Sequence, residues 1–184
     1  SDNCTTNGAS IVQWEWLNGY GNFKWKFSSV SLSSPLSNGT YTVKAKNSNK
    51  IMSIDGWSSS DGAIVMQWGN LCQSNQEFDP AFTASGYTLN PVYTDKVISI
   101  DSYSITNGAA AIQWENLSQQ NQFFEIVDLG SGDYKIVSRF TKKCLAVNDN
   151  DTANGAHICQ WECLDGYDNF KWSFDTTCSS PLAR

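Results

Sequence analysis

The chain has 184 residues, of which 16% are charged and 13% are aromatic, and it contains eight tryptophans. Its formal net charge of −6 excludes nucleic-acid binding through a basic surface and disfavours partners rich in sulfate or carboxylate groups. Because His157 is the only histidine, a histidine-rich metal site is excluded, and no apolar run is long enough to cross a membrane. We therefore expect no metal, no cofactor, no nucleic-acid partner and no membrane insertion.

The sequence contains a repeated unit, and its first copy, at the N-terminus, is incomplete. Residues 1–27 hold only the second half of a repeat and are expected to form a β-hairpin. Residues 28–39 are rich in serine and are interpreted as a linker. Two interpretations of the half-repeat stay open, because it is either the tail of a preceding module or a hairpin that packs against a neighbour.

Three complete units follow, over about residues 40–84, 85–130 and 131–176, and we call them repeats 1, 2 and 3. A tail covers residues 177–184. Each unit is predicted to form four short strands with period-two alternation, separated by Asn, Gly, Ser and Asp turns. Three such units predict an all-β protein with about twelve strands, closed into a pseudo-threefold barrel that leaves no sheet edge exposed.

One ten-residue segment marks every unit, including the incomplete one. Its copies are NGASIVQWEW from Asn7, DGAIVMQWGN from Asp61, NGAAAIQWEN from Asn107 and NGAHICQWEC from Asn154. In each copy the glycine precedes a tryptophan by six residues, and an asparagine follows that tryptophan by seven or eight. A large aromatic residue comes three residues after the asparagine. Self-similarity at a fixed period is typical of a repeat architecture.

These units resemble the ricin-type lectin β-trefoil and the carbohydrate-binding modules of families 13 and 92, with their Gly, Trp, Asn and terminal Q-x-W pattern. The terminal motif stands here as Phe23-Lys24-Trp25, Gln76-Glu77-Phe78, Gln122-Phe123-Phe124 and Phe170-Lys171-Trp172. The likeness covers about residues 40–176 fully and 1–27 in part. It implies a β-trefoil of three four-stranded repeats with an extra N-terminal half-repeat.

The resemblance places sugar contacts on two recurring side chains. In the family, a galactose stacks on an aromatic ring, and an asparagine donates hydrogen bonds to its hydroxyl groups. The matching rings are Trp14, Trp68, Trp114 and Trp161. The matching asparagines are Asn22, Asn75, Asn121 and Asn169. A pyranose suits such a site, because it offers an apolar C–H face to a ring and a polar edge to amides and carboxylates.

Carboxylates near these residues extend the candidate sites. The family's sugar-binding aspartate falls at Ser53, Ser99 and Ala146, which departs from the galactose-binding pattern. Three of the four tryptophans are followed directly by a glutamate: Glu15, Glu115 and Glu162. Two positions beyond the missing aspartate come Asp55, Asp101 and Asn148. The Trp-Glu pair is similar to that of family 92 modules, which implies neutral β-glucans as ligands, and repeat 1, with Gly69 after its tryptophan, is predicted to be the weakest site.

Structural roles compete with each of these assignments. The tryptophans would be core residues, except that Trp25, Phe78, Phe124 and Trp172 already supply an aromatic core layer. Each glutamate points to the strand face opposite its tryptophan unless the strand turns there. The aspartates and the asparagines also fit turn caps. Two further aromatic residues, Trp57 and Tyr103, fit either an extended subsite or loop packing.

Six cysteines in a chain poor in charge indicate an oxidising compartment, so we expect a secreted, extracellular protein. The family resemblance implies one disulfide within repeat 3, between Cys144 and Cys163. A bridge enclosing about twenty residues is expected to contribute about 3 kcal/mol of stability. Four cysteines keep no assigned partner: Cys4, Cys72, Cys159 and Cys178.

The repeated Trp and Asn frame predicts noncatalytic, multivalent binding of neutral oligo- or polysaccharides, either β-glucans or galactosides. The alternative is a protein-interaction trefoil such as a protease inhibitor, although an inhibitor needs one rigid loop rather than the same tryptophan in every unit. An enzyme using a carboxylate pair such as Asp101 and Glu115 is a third hypothesis. The half-repeat leaves two further partners open: an appended catalytic domain, or a second copy bound through residues 1–27.

Overall fold

The computed structural model describes residues 34–176, which belong to a compact unit beginning at Ser34. The predicted half-repeat, the first part of the predicted linker and the C-terminal tail lie outside the described residues. The candidate ligand-binding residues of that half-repeat are Trp14, Glu15 and Asn22. Within the described range, no helix is long and apolar enough to cross a membrane.

Twelve β-strands make up the described part of the chain, four in each repeat. Repeat 1 contains β1 (Tyr41–Ala45), β2 (Ile51–Ile54), β3 (Val65–Trp68) and β4 (Phe78–Thr83). Repeat 2 contains β5 (Gly86–Pro91), β6 (Lys96–Ile100), β7 (Ala111–Glu115) and β8 (Phe124–Gly130). Repeat 3 contains β9 (Asp133–Ser138), β10 (Cys144–Val147), β11 (Ile158–Trp161) and β12 (Trp172–Thr176). The prediction of an all-β fold with three four-stranded repeats is confirmed.

A short 3₁₀ turn follows the second strand of every repeat, and another precedes the fourth. The first set is Asp55–Trp57, Asp101–Tyr103 and Asn148–Asn150. The second set is Ser74–Gln76, Gln120–Gln122 and Asp168–Phe170. The middle residue of each first-set turn has a positive φ, for example 58° at Gly56 and 54° at Asp149. Each repeat therefore reverses direction sharply at the same two places.

The first and fourth strands of the three repeats form a closed barrel of six antiparallel strands. Around the ring, β1 pairs with β4, β4 with β5, β5 with β8, β8 with β9, and β9 with β12. The ring closes where β12 pairs with β1, from Tyr41 opposite Thr176 to Ala45 opposite Trp172. The second and third strands form one hairpin per repeat: β2–β3, β6–β7 and β10–β11. Closure leaves none of the six barrel strands as an unpaired edge.

The core lies inside this barrel and under the three hairpins. Equivalent strands contribute equivalent apolar residues, such as Val65, Ala111 and Ile158, all fully buried. Phe78, Phe124 and Trp172 are also fully buried at the start of the fourth strands, as predicted for the aromatic layer. The core extends to Leu36, a buried residue within the segment that was predicted to be a linker.

Three fully buried glutamines join each repeat to its neighbour. The Nε2 of Gln160 in repeat 3 donates to the carbonyl oxygens of Ser104 (2.8 Å) and Thr106 (3.1 Å) in repeat 2. The other two sets are Gln113 with Ser58 and Ser60, and Gln67 with Asp151 and Ala153. A buried amide or carbonyl that loses its partner costs about 1–3 kcal/mol. In the three described copies of the repeated segment, the glutamine directly before the tryptophan (together called the QW pair) thus forms a structural contact between repeats.

Candidate functional site

The three described tryptophans of the QW pairs lie at the protein surface. The exposed fraction is 37% for Trp114 and 38% for Trp161, and Trp68 is partly exposed. The glutamine directly before each of them points to the opposite strand face and is fully buried: Gln67, Gln113 and Gln160. Part of each indole is therefore available to a ligand, in contrast to the fully buried Trp172.

Each of these rings rests against a glycine of the neighbouring repeat. A β-carbon placed on Gly108 of repeat 2 would lie 3.7 Å from Cζ3 of Trp161 in repeat 3. Gly62 stands in the same way beside Trp114, and Gly155 beside Trp68. Gly108 has φ +84°, where a side chain would strain the backbone. Each indole therefore packs beside the backbone of the neighbouring repeat.

The residue before each of these glycines accepts a hydrogen bond from the backbone of the neighbouring repeat, directly after that repeat's tryptophan. Asn107 Oδ1 accepts a hydrogen bond from the backbone N–H of Glu162 (3.1 Å), and Asp61 Oδ1 accepts one from Glu115 (2.8 Å). Asp61 also accepts a hydrogen bond from Lys96 (2.6 Å), which holds the pKa of its carboxyl below the usual value. Of the three predicted glutamates, Glu115 and Glu162 lie within the described residues, and both are exposed.

The three predicted sugar-binding asparagines within the described residues are buried: Asn75, Asn121 and Asn169. Asn121 Nδ2 donates to Ser99 Oγ (2.9 Å) and to the Ile100 carbonyl (2.8 Å), and Asn75 makes the equivalent bonds in repeat 1. Asn169 bonds only the Val147 carbonyl (2.9 Å), because Ala146 has no hydroxyl. The Oδ1 atoms of all three are buried without a hydrogen-bond partner in the protein. Their amide groups connect the 3₁₀ turn to the second strand, which supports the capping alternative.

We predict that Asn121→Ala lowers the free energy of unfolding by about 2 kcal/mol, since it leaves the Ile100 carbonyl without its donor. Urea denaturation monitored by circular dichroism measures this. Ser99→Ala is the matched control, because it removes one of the two bonds and should cost less. An Asn121→Ala variant with unchanged stability would contradict the structural role.

The remaining polar candidates lie at the turns after the second strands. Asp55, Asp101 and Asn148 each begin a 3₁₀ turn, and each backbone carbonyl there accepts a hydrogen bond from the residue three positions later. The third residues of these turns meet the neighbouring repeat. Trp57 packs edge-on against Tyr93, and Tyr103 against Phe140. Trp57 and Tyr103 pack between loops and keep a little under half of their surface exposed.

Repeat 3 surrounds a pocket of about 240 Å³. Three predicted residues line it together: Trp161, Asn148 and Asn169. Glu162 is not among the lining residues, and its side chain lies 4.0 Å from Lys143 Nζ. The structure thus brings the predicted Trp161 ring and the two asparagine amides of repeat 3 together in one pocket, whereas Glu162 lies outside that pocket.

Sequence reasoning missed two apolar residues of this pocket, Leu164 and Tyr167. Both are exposed. A signal was present, because Asn169 follows Trp161 by eight positions, one more than in repeats 1 and 2. The leucine also recurs three positions after each tryptophan, as Leu71, Leu117 and Leu164.

The predicted disulfide between Cys144 and Cys163 is present, with a Cα–Cα distance of 5.0 Å. It holds the loop after Trp161 to β10. In repeat 2 the corresponding loop is held by Gln122, whose Nε2 donates to the Glu115 carbonyl and whose Oε1 accepts from backbone amides. Phe170 replaces that glutamine in repeat 3 and packs against Cys144. The disulfide therefore takes over the loop contact that a buried glutamine makes elsewhere.

Cys159 is a buried free thiol that also lines the pocket. Burial raises its pKa to about 11, and the nearby Asp149 carboxylate acts in the same direction. Such a thiol is protonated and unreactive at neutral pH. Among residues 34–176, no group of three or more His, Cys, Asp or Glu side chains is placed to hold a metal ion.

A family model described as "ricin-type beta-trefoil lectin domain-like" matches four overlapping parts of the chain: residues 1–68, 21–114, 74–161 and 117–180. The chain belongs to this lectin family. The four matches overlap along the chain, as expected for a domain whose units are alike. No curated protein matches the chain.

Solved structures agree with this assignment. The designed threefold-symmetric protein ThreeFoil is 31% identical, with a TM-score of 0.71, over 74% of this lectin-family chain and 97% of ThreeFoil. An exo-β-1,3-galactanase from Clostridium thermocellum is 26% identical (TM-score 0.73), over 78% of this chain and 31% of the galactanase. A ricin B-like lectin from Macrolepiota procera, in complex with lactose, shares the fold at 16% identity (TM-score 0.67), over 78% of this chain and 99% of that lectin. The β-trefoil prediction is confirmed, and carbohydrate binding is the general function that the family supports.

Proposed function

We propose that the chain is a noncatalytic protein that binds neutral glycans at several sites, with Trp68, Trp114 and Trp161 as stacking platforms. The observation that carries this proposal is their common arrangement. Each indole is partly exposed at an equivalent position and rests on a glycine of the next repeat. An oriented, half-exposed ring matches the apolar C–H face of a pyranose, which makes it an efficient sugar platform.

Polar groups around the platforms support neutral rather than acidic sugars. Glu115 and Glu162 are exposed directly after their tryptophans, and Asp55 and Asp101 lie in the turns after the second strands. Carboxylates are strong acceptors for sugar hydroxyl groups but repel uronate and sialate carboxylates. The Trp-Glu pair favours β-glucans, whereas the likeness to a galactanase favours galactosides. We infer that one of these two classes is the ligand.

Several shallow sites gain affinity by acting together. A single site with one ring and a few hydrogen bonds is expected to bind with a dissociation constant near 1 mM, or about −4 kcal/mol. Two or three linked sites on one polymer raise the overall affinity by about 10² or more. We therefore expect stronger binding to long polysaccharides than to their short fragments.

The test is affinity electrophoresis on β-glucan and β-galactan gels, with calorimetry on short oligosaccharides. We expect Trp114→Ala and Trp161→Ala each to weaken retardation about tenfold by removing one platform. Phe82→Ala is the matched control, because Phe82 has the same exposed fraction as Trp114, 37%, but lies on the barrel hairpin β4–β5. The proposal fails if neither polymer retards the protein and both tryptophan variants behave like the parent.

We also propose that the chain works outside the cell, where the Cys144–Cys163 disulfide persists. Its likeness to 31% of the galactanase supports a role as a noncatalytic module joined to an enzyme. A second copy bound through residues 1–27 is the alternative. Analytical ultracentrifugation of the full chain and of a variant lacking residues 1–27 distinguishes the two, because only self-association predicts a loss of mass beyond the deleted residues.

A further inference from the structure

The loop before the last 3₁₀ turn differs between repeat 3 and its two neighbours. Tyr167 lies two positions before Asn169, where repeats 1 and 2 carry Gln73 and Gln119. The Gln119 side chain caps its own 3₁₀ turn through hydrogen bonds with the backbone. Tyr167 makes no such cap, and 55% of it is exposed. The repeat 3 loop thus presents an exposed aromatic ring at a position where repeat 2 carries a glutamine that caps its own turn.

Tyr167 and Trp161 line the same pocket. Within residues 34–176, neither ring contacts another aromatic ring and the Tyr167 hydroxyl has no hydrogen-bond partner. Asn169, which is buried and lines the same pocket, keeps an Oδ1 atom without a partner. Two exposed rings and an unused buried acceptor therefore meet in one concave place. Large apolar surfaces that no protein group covers mark ligand-binding sites.

The size and charge of this pocket restrict what it can hold. Its volume of about 240 Å³ is below the roughly 300–1,000 Å³ of pockets that enclose drug-sized ligands, so it fits one sugar ring. Asp149 lines it, whereas Glu162 and Asp165 lie outside the lining and are paired with Lys143 and Lys135. The Asp149 carboxylate disfavours acidic sugars. A concave site with two aromatic rings suits a chain end, whereas a single exposed ring suits a residue within a chain.

We propose that repeat 3 holds the principal site of this protein, and that Tyr167, as the second aromatic wall, makes that site select a single terminal neutral hexose. The inference rests on the proposed function and deepens it. Trp68 and Trp114 then serve as open platforms for internal residues of the same polymer, so one chain reads both the end and the body of a glycan.

The experiment compares the parent with Tyr167→Gln, which installs the residue found in repeats 1 and 2, and with Tyr167→Phe. The probes are methyl β-glucopyranoside and methyl β-galactopyranoside, titrated while the indole N–H signals are followed by NMR. We expect Tyr167→Gln to weaken the response of Trp161 about tenfold and to leave those of Trp68 and Trp114 unchanged. Tyr167→Phe keeps the wall and should stay within about twofold of the parent. Gln73→Ala is the position-matched control and should change nothing at Trp161.

The outcomes separate this inference from the proposed function. If Trp161 still responds to the glycosides equally well in Tyr167→Gln, the inference is wrong although sugar binding stands. The same holds if all three tryptophans weaken together, since the effect then has no link to repeat 3. If no tryptophan responds to either glycoside or to either polymer in the parent, the proposed function itself has failed. Near-UV circular dichroism verifies that each variant is folded.

Discussion

The Trp172→Ala variant is expected to lose about 3–5 kcal/mol of stability, a large part of the roughly 5–15 kcal/mol that holds a typical domain together. Trp172 is fully buried at the start of β12, and β12 is the strand that closes the barrel against β1. Its Nε1 also donates to the Leu145 carbonyl (3.0 Å). Truncation therefore leaves a cavity and an unpaired carbonyl where the first and last strands meet.

The chain offers its own matched control for this change. Repeats 1 and 2 carry Phe78 and Phe124 at the same place, so Trp172→Phe keeps an aromatic ring that the architecture already accepts. We expect it to cost about 1–2 kcal/mol, mainly through the lost hydrogen bond to Leu145. Urea unfolding at equilibrium measures both variants. A loss below about 1 kcal/mol for Trp172→Ala would show that the aromatic layer is not the centre of the core.

The second large effect is expected from removing the disulfide by Cys163→Ser. Cys163 is exposed whereas Cys144 is fully buried, so this variant deletes the cross-link without opening a cavity. The bridge joins residues 19 positions apart, and its loss should lower the free energy of unfolding by about 3 kcal/mol. Phe170 offers no hydrogen bonds to replace it, so the loop carrying Tyr167 should also loosen.

Two measurements on Cys163→Ser separate these consequences. Thermal unfolding reports the stability, and the Trp161 indole signal reports whether the repeat 3 pocket still responds to a methyl glycoside. Gln122→Ala is the comparison in repeat 2, because it removes the hydrogen bonds that hold the corresponding loop there. It should disturb Trp114 and leave Trp161 as in the parent. Equal stability of Cys163→Ser and the parent would show that the bridge does not constrain the fold.

The spacing of the repeated segment was sufficient to predict the fold. Twelve strands, three repeats and the buried layer of Phe78, Phe124 and Trp172 follow from alternation and from the fixed interval between copies. The disulfide was accessible through family resemblance, because pairing depends on distances between cysteines in space. Local periodicity predicts the strands and the core residues, since each strand's inner face is set by its own sequence.

Contacts between repeats could not be predicted from the sequence in the same way. Gln160 belongs to the repeated segment, but its partners Ser104 and Thr106 lie more than fifty positions away, and nothing in the sequence links them to it. The burial of Asn121 was missed because an asparagine near a turn fits a ligand contact and a cap equally well. Tyr167 was missed because a single extra loop residue changes the direction of a side chain without changing the motif.

Because β12 pairs with β1, the first and last barrel strands lie side by side. The repeats could therefore follow one another in a different order along the chain and still occupy the same positions in the barrel. Tyr41 and Thr176 are directly opposite in that pair, so a short peptide bridge could join these positions without disturbing the barrel. Opening the chain at the turn between β8 and β9, at Ser131 and Gly132, would then yield a circular permutant with the same six-stranded ring. In such a molecule repeat 3 would come first along the polypeptide while keeping both of its neighbours.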